Sequence, residues 1–232
     1  SDVYKRQGGT VDKIRRVSRA PGEVQKRIGG ANNRKNRDGG ETMTKIGYAV
    51  TGSFCTFSKT LAVMQALVDK GYELVPIFSY NTCNLDTRFY KAKDFYSETV
   101  RITGKYPICD LVNAEPLGTK EKLDLIVVCP CTGNTLSKLA NGITDTPVTL
   151  AVKAHLRNCR PVLIALSSND ALGANAKNLG HLLNTKNVYF VPMGQDAPDI
   201  KTKSLIADFS IVPDAVKLAL NGKQAEPVFK NL

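Results

Sequence analysis

Apolar residues occur along this chain in two alternating patterns, which predict strands and helices in turn. Short continuous apolar runs are typical of buried strands, and the chain contains five of them. They are Ile46–Val50, Leu74–Phe78, Leu123–Cys129, Val162–Leu166 and Val188–Val191. Strands that alternate with helices predict an α/β fold with a doubly wound parallel sheet, and we expect a single domain over residues 43–232.

Between these runs, apolar residues recur every three or four positions, as they do on one face of a helix. The first such stretch contains Phe57, Leu61, Met64, Leu67 and Val68. Further helices are predicted near Arg88–Ile102, around Val148–Leu156 and over Val212–Leu220. Right-handed crossovers place the carboxyl ends of parallel strands at one edge of the sheet, where ligands bind. Function is therefore expected in the loops that follow Val50, Phe78, Cys129 and Leu166.

Residues 1–42 show no apolar periodicity, and the stretch 29–40 consists largely of Gly, Asn and charged residues. This composition predicts disorder. The segment holds 11 Lys or Arg and 5 Asp or Glu, so it supplies +6 of the net charge of +11. We interpret it as a disordered basic tail, or as sequence translated upstream of a start at Met43. An arm that binds nucleic acid is the alternative, but the rest of the chain is only mildly basic, and we expect no nucleic-acid partner.

The chain has six cysteines and two histidines. No two cysteines form a C-x-x-C pair, so we expect no metal site, and the thiols are expected to be free in a reducing compartment. No apolar run approaches the roughly 20 residues needed to cross a bilayer, and the N-terminus does not resemble a secretory signal. We therefore expect a cytoplasmic protein without a membrane partner.

The loop after the first predicted strand, Thr51–Thr56, has the features of a phosphate-binding turn. Gly52 allows the backbone to approach a ligand closely, and Ser53 and Thr56 offer hydroxyl groups beside the start of a helix. The loop matches neither a Walker A sequence nor a dinucleotide fingerprint, so ATP and NAD are not indicated. The alternative is an ordinary helix start, capped by Ser53 or Thr56. Cys55 is interpreted as an inert thiol in this turn or, alternatively, as a reactive one.

Two further loops add polar groups at the same edge. Ser79 opens the second loop, where simple turn formation is the alternative explanation. The third loop, Pro130–Asp145, follows the most apolar strand of the chain. Its polar or small residues at the mouth of the sheet are Cys131, Thr132, Gly133, Asn134 and Thr135. We expect backbone N–H groups and the Asn134 amide to bind the edge of a planar heterocycle, although an ordinary helix cap is the alternative.

The third loop resembles the P-A-S/T-A-N-T-x-x-K-x-A-x-G-x-x-D motif of the flavoprotein family that includes the homo-oligomeric flavin-containing Cys decarboxylases. The matching residues are Pro130, Asn134, Thr135, Lys138, Ala140, Gly142 and Asp145. The resemblance implies a Rossmann-like flavoprotein fold and an FMN cofactor. It places the FMN phosphate at Thr51–Ser53 and the flavin ring at Asn134 and Thr135, and it implies a homo-oligomer built from trimers.

Two departures from the decarboxylase pattern change the activity that the resemblance implies. Pro116 stands where the decarboxylases carry a catalytic His, and the segment Ala165–Gly173 keeps only Asn169 of a clamp motif. These features resemble a branch of the family in which the chain works as one part of a two-component oxidoreductase. That branch implies a small dicarboxylate substrate and a separate Rossmann-type partner protein. Because this chain lacks a nicotinamide fingerprint, its own electron acceptor would be FMN.

No catalytic acid or base is identified in the sequence. Lys138 or Arg88 is suggested as a group that attracts the substrate carboxylates. His155 is expected to be a packing residue with satisfied hydrogen bonds, and His181 a structural or surface residue. Two alternatives stay open: a flavin-dependent decarboxylase of a cysteine-derived substrate, and a non-catalytic subunit that binds FMN or a phosphate.

Overall fold

The computed structural model describes residues 43–231, whose seven strands form one sheet. The strands are β1 (Lys45–Val50), β2 (Glu73–Phe78), β3 (Leu125–Cys131), β4 (Val162–Ser168), β5 (Val188–Phe190), β6 (Met193–Gly194) and β7 (Leu205–Ala207). The helices are α1 (Phe57–Asp69), α2 (Tyr80–Asn84), α3 (Ala92–Thr103), α4 (Leu111–Ala114), α5 (Gly133–Ala140), α6 (Pro147–Arg157), α7 (Ala176–Leu183) and α8 (Val212–Leu220). Short 3₁₀ helices cover Phe54–Thr56, Glu115–Gly118 and Phe209–Ile211. The predicted tail, residues 1–42, lies outside the described residues.

The strand order is β2-β1-β3-β4-β7-β6, with β5 paired to β4 off this path. Strands β1 to β5 pair in parallel, which confirms the predicted α/β sheet and its single domain. Strands β6 and β7 were not predicted, and they add an antiparallel extension beside the end of β4. With two and three residues, these strands are too short to produce an apolar pattern in the sequence.

Helices cover both faces of the sheet and enclose two apolar clusters. On one face, Phe57 of α1 stacks on Phe95 of α3 with ring centroids 4.0 Å apart, and Phe78 packs against the same ring. On the other face, Leu136 of α5 and Val148 of α6 pack against the opposite side of the strands. The two clusters fix the strands, and so they fix the loops at the carboxyl ends of β1, β3 and β4.

The prediction of free thiols is wrong for two of the six cysteines, because Cys83 and Cys109 form a disulfide. Ile108 bridges Ile77 of β2, and the Phe78 amide donates to the Ile108 carbonyl oxygen over 2.8 Å. This pairing brings residue 109 beside α2. The other four cysteines, Cys55, Cys129, Cys131 and Cys159, are free.

The interpretation of His155 is corrected in one respect. Its ring is buried against the core, as expected, but neither Nδ1 nor Nε2 has a hydrogen-bond partner among residues 43–231. Burial, with a smaller effect from the charge of Arg160, lowers the pKa of His155 to about 4. The buried ring is therefore neutral at physiological pH. His181 on α7 is exposed, as expected.

No helix within the part of the chain that the structure describes is long and apolar enough to cross a membrane.

Candidate functional site

A cleft of about 630 Å³ opens at the carboxyl ends of β1, β3 and β4. Five of the ten predicted site residues line it: Gly52, Ser53, Thr132, Asn134 and Asn169. The structure places the other five, Thr51, Thr56, Ser79, Cys131 and Thr135, behind the wall of this cleft rather than on it. Residues far apart in the sequence thus meet at the sheet edge where the sequence predicted a site.

The 3₁₀ helix after the first loop begins without a side-chain cap. Ser53 occupies its N-cap position, but its hydroxyl group lies 2.8 Å from the hydroxyl group of Ser167 at the end of β4. The Thr56 hydroxyl donates to the Ser53 carbonyl oxygen over 2.7 Å, and it does not cap α1 either. The alternative of an ordinary capped helix is therefore wrong. The uncapped N–H groups at this helix start carry partial positive charge, and Gly52, Ser53 and Cys55 place this turn on the cleft.

Thr51 holds the first and third loops together. Its hydroxyl group donates to the Pro130 carbonyl oxygen over 2.8 Å and accepts from the Thr132 amide over 2.9 Å. Its own amide donates to the same Pro130 oxygen over 3.2 Å. Because the Thr51 side chain is buried and fully engaged, it positions the two loops and does not face the cleft.

Thr132 caps the helix that carries the third loop. Its hydroxyl oxygen accepts from the Thr135 amide over 3.3 Å at the start of α5. Thr135 is buried, and its hydroxyl group accepts a second bond from Thr132 over 3.2 Å. The alternative of a helix cap is thus correct for Thr132. The cap leaves the next side chain, Asn134, exposed on the cleft.

Gly133 allows α5 to approach the end of β4 more closely than any other residue would. A Cβ atom at this position would lie 2.5 Å from Ser168 Oγ, 2.6 Å from Asp170 Oδ1 and 2.9 Å from Asn175 Nδ2. These three side chains bond to one another: Ser168 donates to Asp170 over 2.6 Å, and Asn175 donates to the other Asp170 oxygen over 2.8 Å. The Asp170 carboxylate is therefore held by two donors beside the backbone of Gly133.

Asn134 and Asn169 present the two exposed side-chain amides of the predicted site. Asn134 lies in the first turn of α5, and Asn169 follows β4. Within residues 43–231, no hydrogen bond engages either side chain, and both line the cleft. Their donors and acceptors are thus available to a ligand.

Ser79 and Cys131 have internal roles. Ser79 caps α2, with its oxygen accepting from the Thr82 amide over 3.3 Å, and Thr82 in turn donates to the Val50 carbonyl oxygen over 3.2 Å. A Cβ on Gly52 would lie 3.5 Å from Asn81 Cβ, so α2 packs directly behind the first loop. Cys131 is fully buried in β3, and this burial raises the pKa of its thiol.

The opposite wall of the cleft contains a group of residues that the sequence did not indicate. Asp196 follows β6, and it accepts from Lys201 Nζ over 2.5 Å and from Ser204 Oγ over 2.7 Å. Burial raises the pKa of the Asp196 carboxyl group, but these two bonds outweigh that effect and leave the pKa lowered. The bond to Asp196 raises the pKa of Lys201, so the pair is ionised. The signal missed in the sequence was an acid and a lysine within one short loop.

The two basic residues suggested as carboxylate-binding groups do not serve this cleft. Lys138 Nζ pairs with both oxygens of Asp145, at 2.8 and 2.9 Å. The Arg88 guanidinium lies 4.8 Å from the centre of the Phe89 ring. Phe89 itself lines the cleft, whereas neither basic side chain does. No group of three or more His, Cys, Asp or Glu side chains in residues 43–231 is arranged to hold a metal ion.

The sheet and its edge cleft define a class of protein, and the comparisons with known proteins agree with that class. The family model described as Flavoprotein matches residues 34–213, and the chain belongs to this family. Over 184 residues it is 42% identical to the B subunit of dipicolinate synthase from Bacillus subtilis (strain 168), a match that covers 79% of this chain and 92% of that protein.

Solved structures agree with this assignment. The crystal structure of the dipicolinate synthase B subunit from Bacillus halodurans matches with a TM-score of 0.75 and 40% identity, covering 81% of this chain and 96% of that one. The FMN-dependent cysteine decarboxylase SpaF matches with a TM-score of 0.58 and 22% identity, over 76% of this chain and 97% of that one. At that identity, the second match shows the shared fold alone.

Proposed function

We propose that this chain acts as the B subunit of a dipicolinate synthase. With the separate A subunit of that enzyme, it would oxidise dihydrodipicolinate to dipicolinate, the pyridine-2,6-dicarboxylate of bacterial endospores. The similarity to two dipicolinate synthase B subunits over most of both chains supports this function. One structural observation supports this function most directly. The uncapped helix start after Ser53 and the close packing of Gly133 against the end of β4 border the same cleft.

The cleft residues fit an FMN cofactor. The helix start that follows Gly52 and Ser53 offers a positive potential and the N–H groups of Phe54 and Cys55, which have no hydrogen-bond partner among residues 43–231. Both features suit the phosphate group. Asn134 and Asn169 offer free amides for the polar edge of the flavin ring. Gly133 lets the start of α5 pack against Ser168 and Asp170, so that Asn134 and Asn169 border one cleft. The other five predicted site residues would not contact the cofactor and would instead hold the cleft wall in place. They are the buried residues Thr51, Thr56, Ser79, Cys131 and Thr135.

The reaction requires the removal of two electrons and two protons from the dihydropyridine ring, and the aromatic product supplies the driving force. A bound flavin supplies an acceptor for the electrons. The residues of this chain would bind and orient the ring and exclude water from it. The two carboxylates that line the cleft, Asp170 and Asp196, are both held by donors of the chain itself. This arrangement favours a partner protein that contributes the proton acceptor.

Two further features of the proposal follow from the resemblance to the family. We propose that the chain assembles as a homo-oligomer based on trimers, and that it works in the mother-cell cytoplasm of a sporulating bacterium. Light scattering on the purified protein measures the first property directly. A mass equal to one chain would contradict it.

Decarboxylation of a cysteine-derived substrate is the weaker candidate function. Pro116, at the position of the decarboxylase His, lies in the first turn of the 3₁₀ helix Glu115–Gly118. Its carbonyl oxygen accepts from the amides of Thr119, Lys120 and Glu121, at 3.1, 2.9 and 2.9 Å. Proline offers no side-chain donor or acceptor, so this position shapes the backbone and supplies no proton.

The test is a reconstitution with dihydrodipicolinate. The separate partner (the A subunit), this chain, and a mixture of the two are compared by the growth of pyridine absorbance, against the slow non-enzymatic oxidation. We expect dipicolinate from the mixture at a rate well above the sum of the separate rates. No gain when this chain is added to its partner would reject the proposed function. Full activity from this chain alone would reject the need for a partner.

A further inference from the structure

The wall of the cleft opposite α5 is a short loop that its own hydrogen bonds hold in place. It runs over residues 195–204, between β6 and β7. The Lys201 amide donates to the Ala197 carbonyl oxygen over 2.8 Å, and the Gln195 side chain donates to the Thr202 carbonyl oxygen over 3.0 Å. The Ser204 amide donates to the Lys201 carbonyl oxygen over 3.1 Å. The backbone of Lys201 is therefore fixed at one place beside the cleft.

Lys201 supplies the positive charge of the cleft. Of the residues between 43 and 231 that line it, Lys201 is the one with a cationic side chain, and Asp170 and Asp196 are the two with anionic ones. Both carboxylates are occupied by donors of the chain. Without the Lys201 charge, a ligand with two carboxylate groups would meet two negative side chains and no positive one. The Lys201 ammonium group balances the Asp196 carboxylate, so this wall carries no net side-chain charge and offers the ligand a cationic donor.

The ammonium group also has donors to spare. It can donate three hydrogen bonds, and one of them is used by Asp196. Half of the Lys201 side-chain surface, 50%, is exposed, whereas Asp196 is 33% exposed. An ion pair this exposed contributes little to stability. The remaining donors of Lys201 can therefore bind an incoming anion without loss of the pair that positions the side chain.

We propose that Lys201 binds a carboxylate group of the dicarboxylate substrate in this cleft. The inference rests on the proposed function, which supplies the substrate class, and it goes further by assigning the residue that recognises it. Lys201 takes the carboxylate-binding role that the sequence suggested for Lys138 or Arg88, because Lys138 is bonded to Asp145 and Arg88 stacks on Phe89. A purely structural role for the Lys201–Asp196 pair is the competing explanation.

Lys203 provides a matched control. It is exposed and lies two residues away in the same loop, but its stem faces Gly173: a Cβ on that glycine would lie 3.9 Å from both Cβ and Cγ of Lys203. Lys201→Met and Lys203→Met therefore each remove one positive charge from the same loop. The first change is at the cleft, and the second is outside it. Lys201→Arg keeps the charge at the first position.

The experiment is an isothermal titration of each full-length variant with pyridine-2,6-dicarboxylate, in the presence of excess FMN, with a separate FMN titration of the same proteins. Lys201→Met is expected to weaken dicarboxylate binding by at least about tenfold, the usual scale for a lost charge-assisted bond. Lys203→Met should stay within about twofold of the parent protein, and Lys201→Arg should retain most of the affinity. FMN affinity should be the same in all four proteins.

Equal dicarboxylate affinity in Lys201→Met and the parent protein would overturn the inference and leave the proposed function standing if FMN still binds. A Lys201→Met variant that loses FMN instead would assign the lysine to the cofactor phosphate and would also overturn it. Dicarboxylate binding that depends on Lys201 in a protein that does not bind FMN would support the inference and reject the cofactor part of the proposed function. A parent protein that does not bind the dicarboxylate would reject the inference outright.

Discussion

The hydroxyl groups of Ser53 and Ser167 lie 2.8 Å apart and join the loop after β1 to the end of β4. The two residues are 114 positions apart in the sequence. This bond takes the Ser53 side chain away from the helix start that it would otherwise cap. The N–H groups of that turn are thereby left for a ligand, which is the basis of the proposed phosphate site.

Ser53→Asp should abolish FMN binding while the fold is retained. The new carboxylate would occupy the position proposed for the cofactor phosphate and compete for the same N–H groups. Ser58→Asp is the matched control, because it adds the same charge in the first turn of α1 at an exposed position off the cleft. Flavin fluorescence titration measures both variants. Equal FMN affinity in Ser53→Asp and Ser58→Asp would remove the first loop from the site.

Gly133→Ala should destabilise the protein by about 1–3 kcal/mol, the usual cost of overpacking. Its Cβ would clash with Ser168, Asp170 and Asn175, which are already bonded to one another. Gly180→Ala is the control, because a Cβ in that helix meets nothing within 4 Å and should stabilise it by roughly 0.5–1 kcal/mol. Urea unfolding compares the two. Destabilisation of the same size in both would show that close packing at Gly133 is not the cause.

Asn134→Ala should weaken FMN binding by about 1–3 kcal/mol, because the ligand would lose a bond at a desolvated ring edge. The free energy of unfolding without ligand should stay nearly unchanged, since the Asn134 side chain is exposed and unbonded within the described residues. Flavin titration and urea unfolding of the same preparation separate these effects. A large loss of stability without ligand would mean that Asn134 supports the fold.

Stability should fall with acidification through the titration of His155. The pKa of this ring is about 4 in the folded chain, against an ordinary value of 6.5. Below pH 6.5, His155 therefore takes up a proton in the unfolded chain but stays neutral in the folded chain. As the pH falls from about 6.5 to about 4, the free energy of unfolding decreases by at most about 1.4 kcal/mol per pH unit.

His155→Leu should remove this part of the pH dependence. At pH 7 its free energy of unfolding should be at least that of the parent protein, because the substitution eliminates two buried nitrogens that have no partner in residues 43–231. His181→Leu, at an exposed position, is the control and should keep the parent slope. Urea unfolding at pH 7, 6, 5 and 4 gives the comparison. The same slope in His155→Leu as in the parent would assign the acid sensitivity to other groups.

The sequence predicted the parts of the fold that depend on local pattern. Strands β1 to β4 contain apolar runs long enough to recognise, and the loops after them could be assigned to one sheet edge by the rules of parallel sheets. The exposed amide of Asn134 followed from the same loop, whereas the cap at Thr132 was only the alternative to the binding role that the sequence favoured. The sequence therefore located the cleft through its glycine, hydroxyl and amide residues.

The parts that the sequence did not predict depend on long-range pairing. The Cys83–Cys109 disulfide requires the bridge between Ile77 and Ile108, which no local pattern indicates. Lys201 reaches the cleft because β6 and β7 pair beside β4, and these strands are too short to show a period. The third strand also runs to Cys131, two residues past its predicted end, so that Cys131 is buried instead of reaching the ligand.

The central claim, that this cleft holds FMN by its phosphate group, is tested most directly by titrating the purified protein with FMN and with riboflavin and following the visible flavin absorption and fluorescence. The two ligands share the ring system and differ in the phosphate. We expect FMN to bind at least about tenfold more tightly, since a phosphate at a helix start makes charge-assisted hydrogen bonds. Equal affinity for the two ligands, or no binding of either, would contradict the claim.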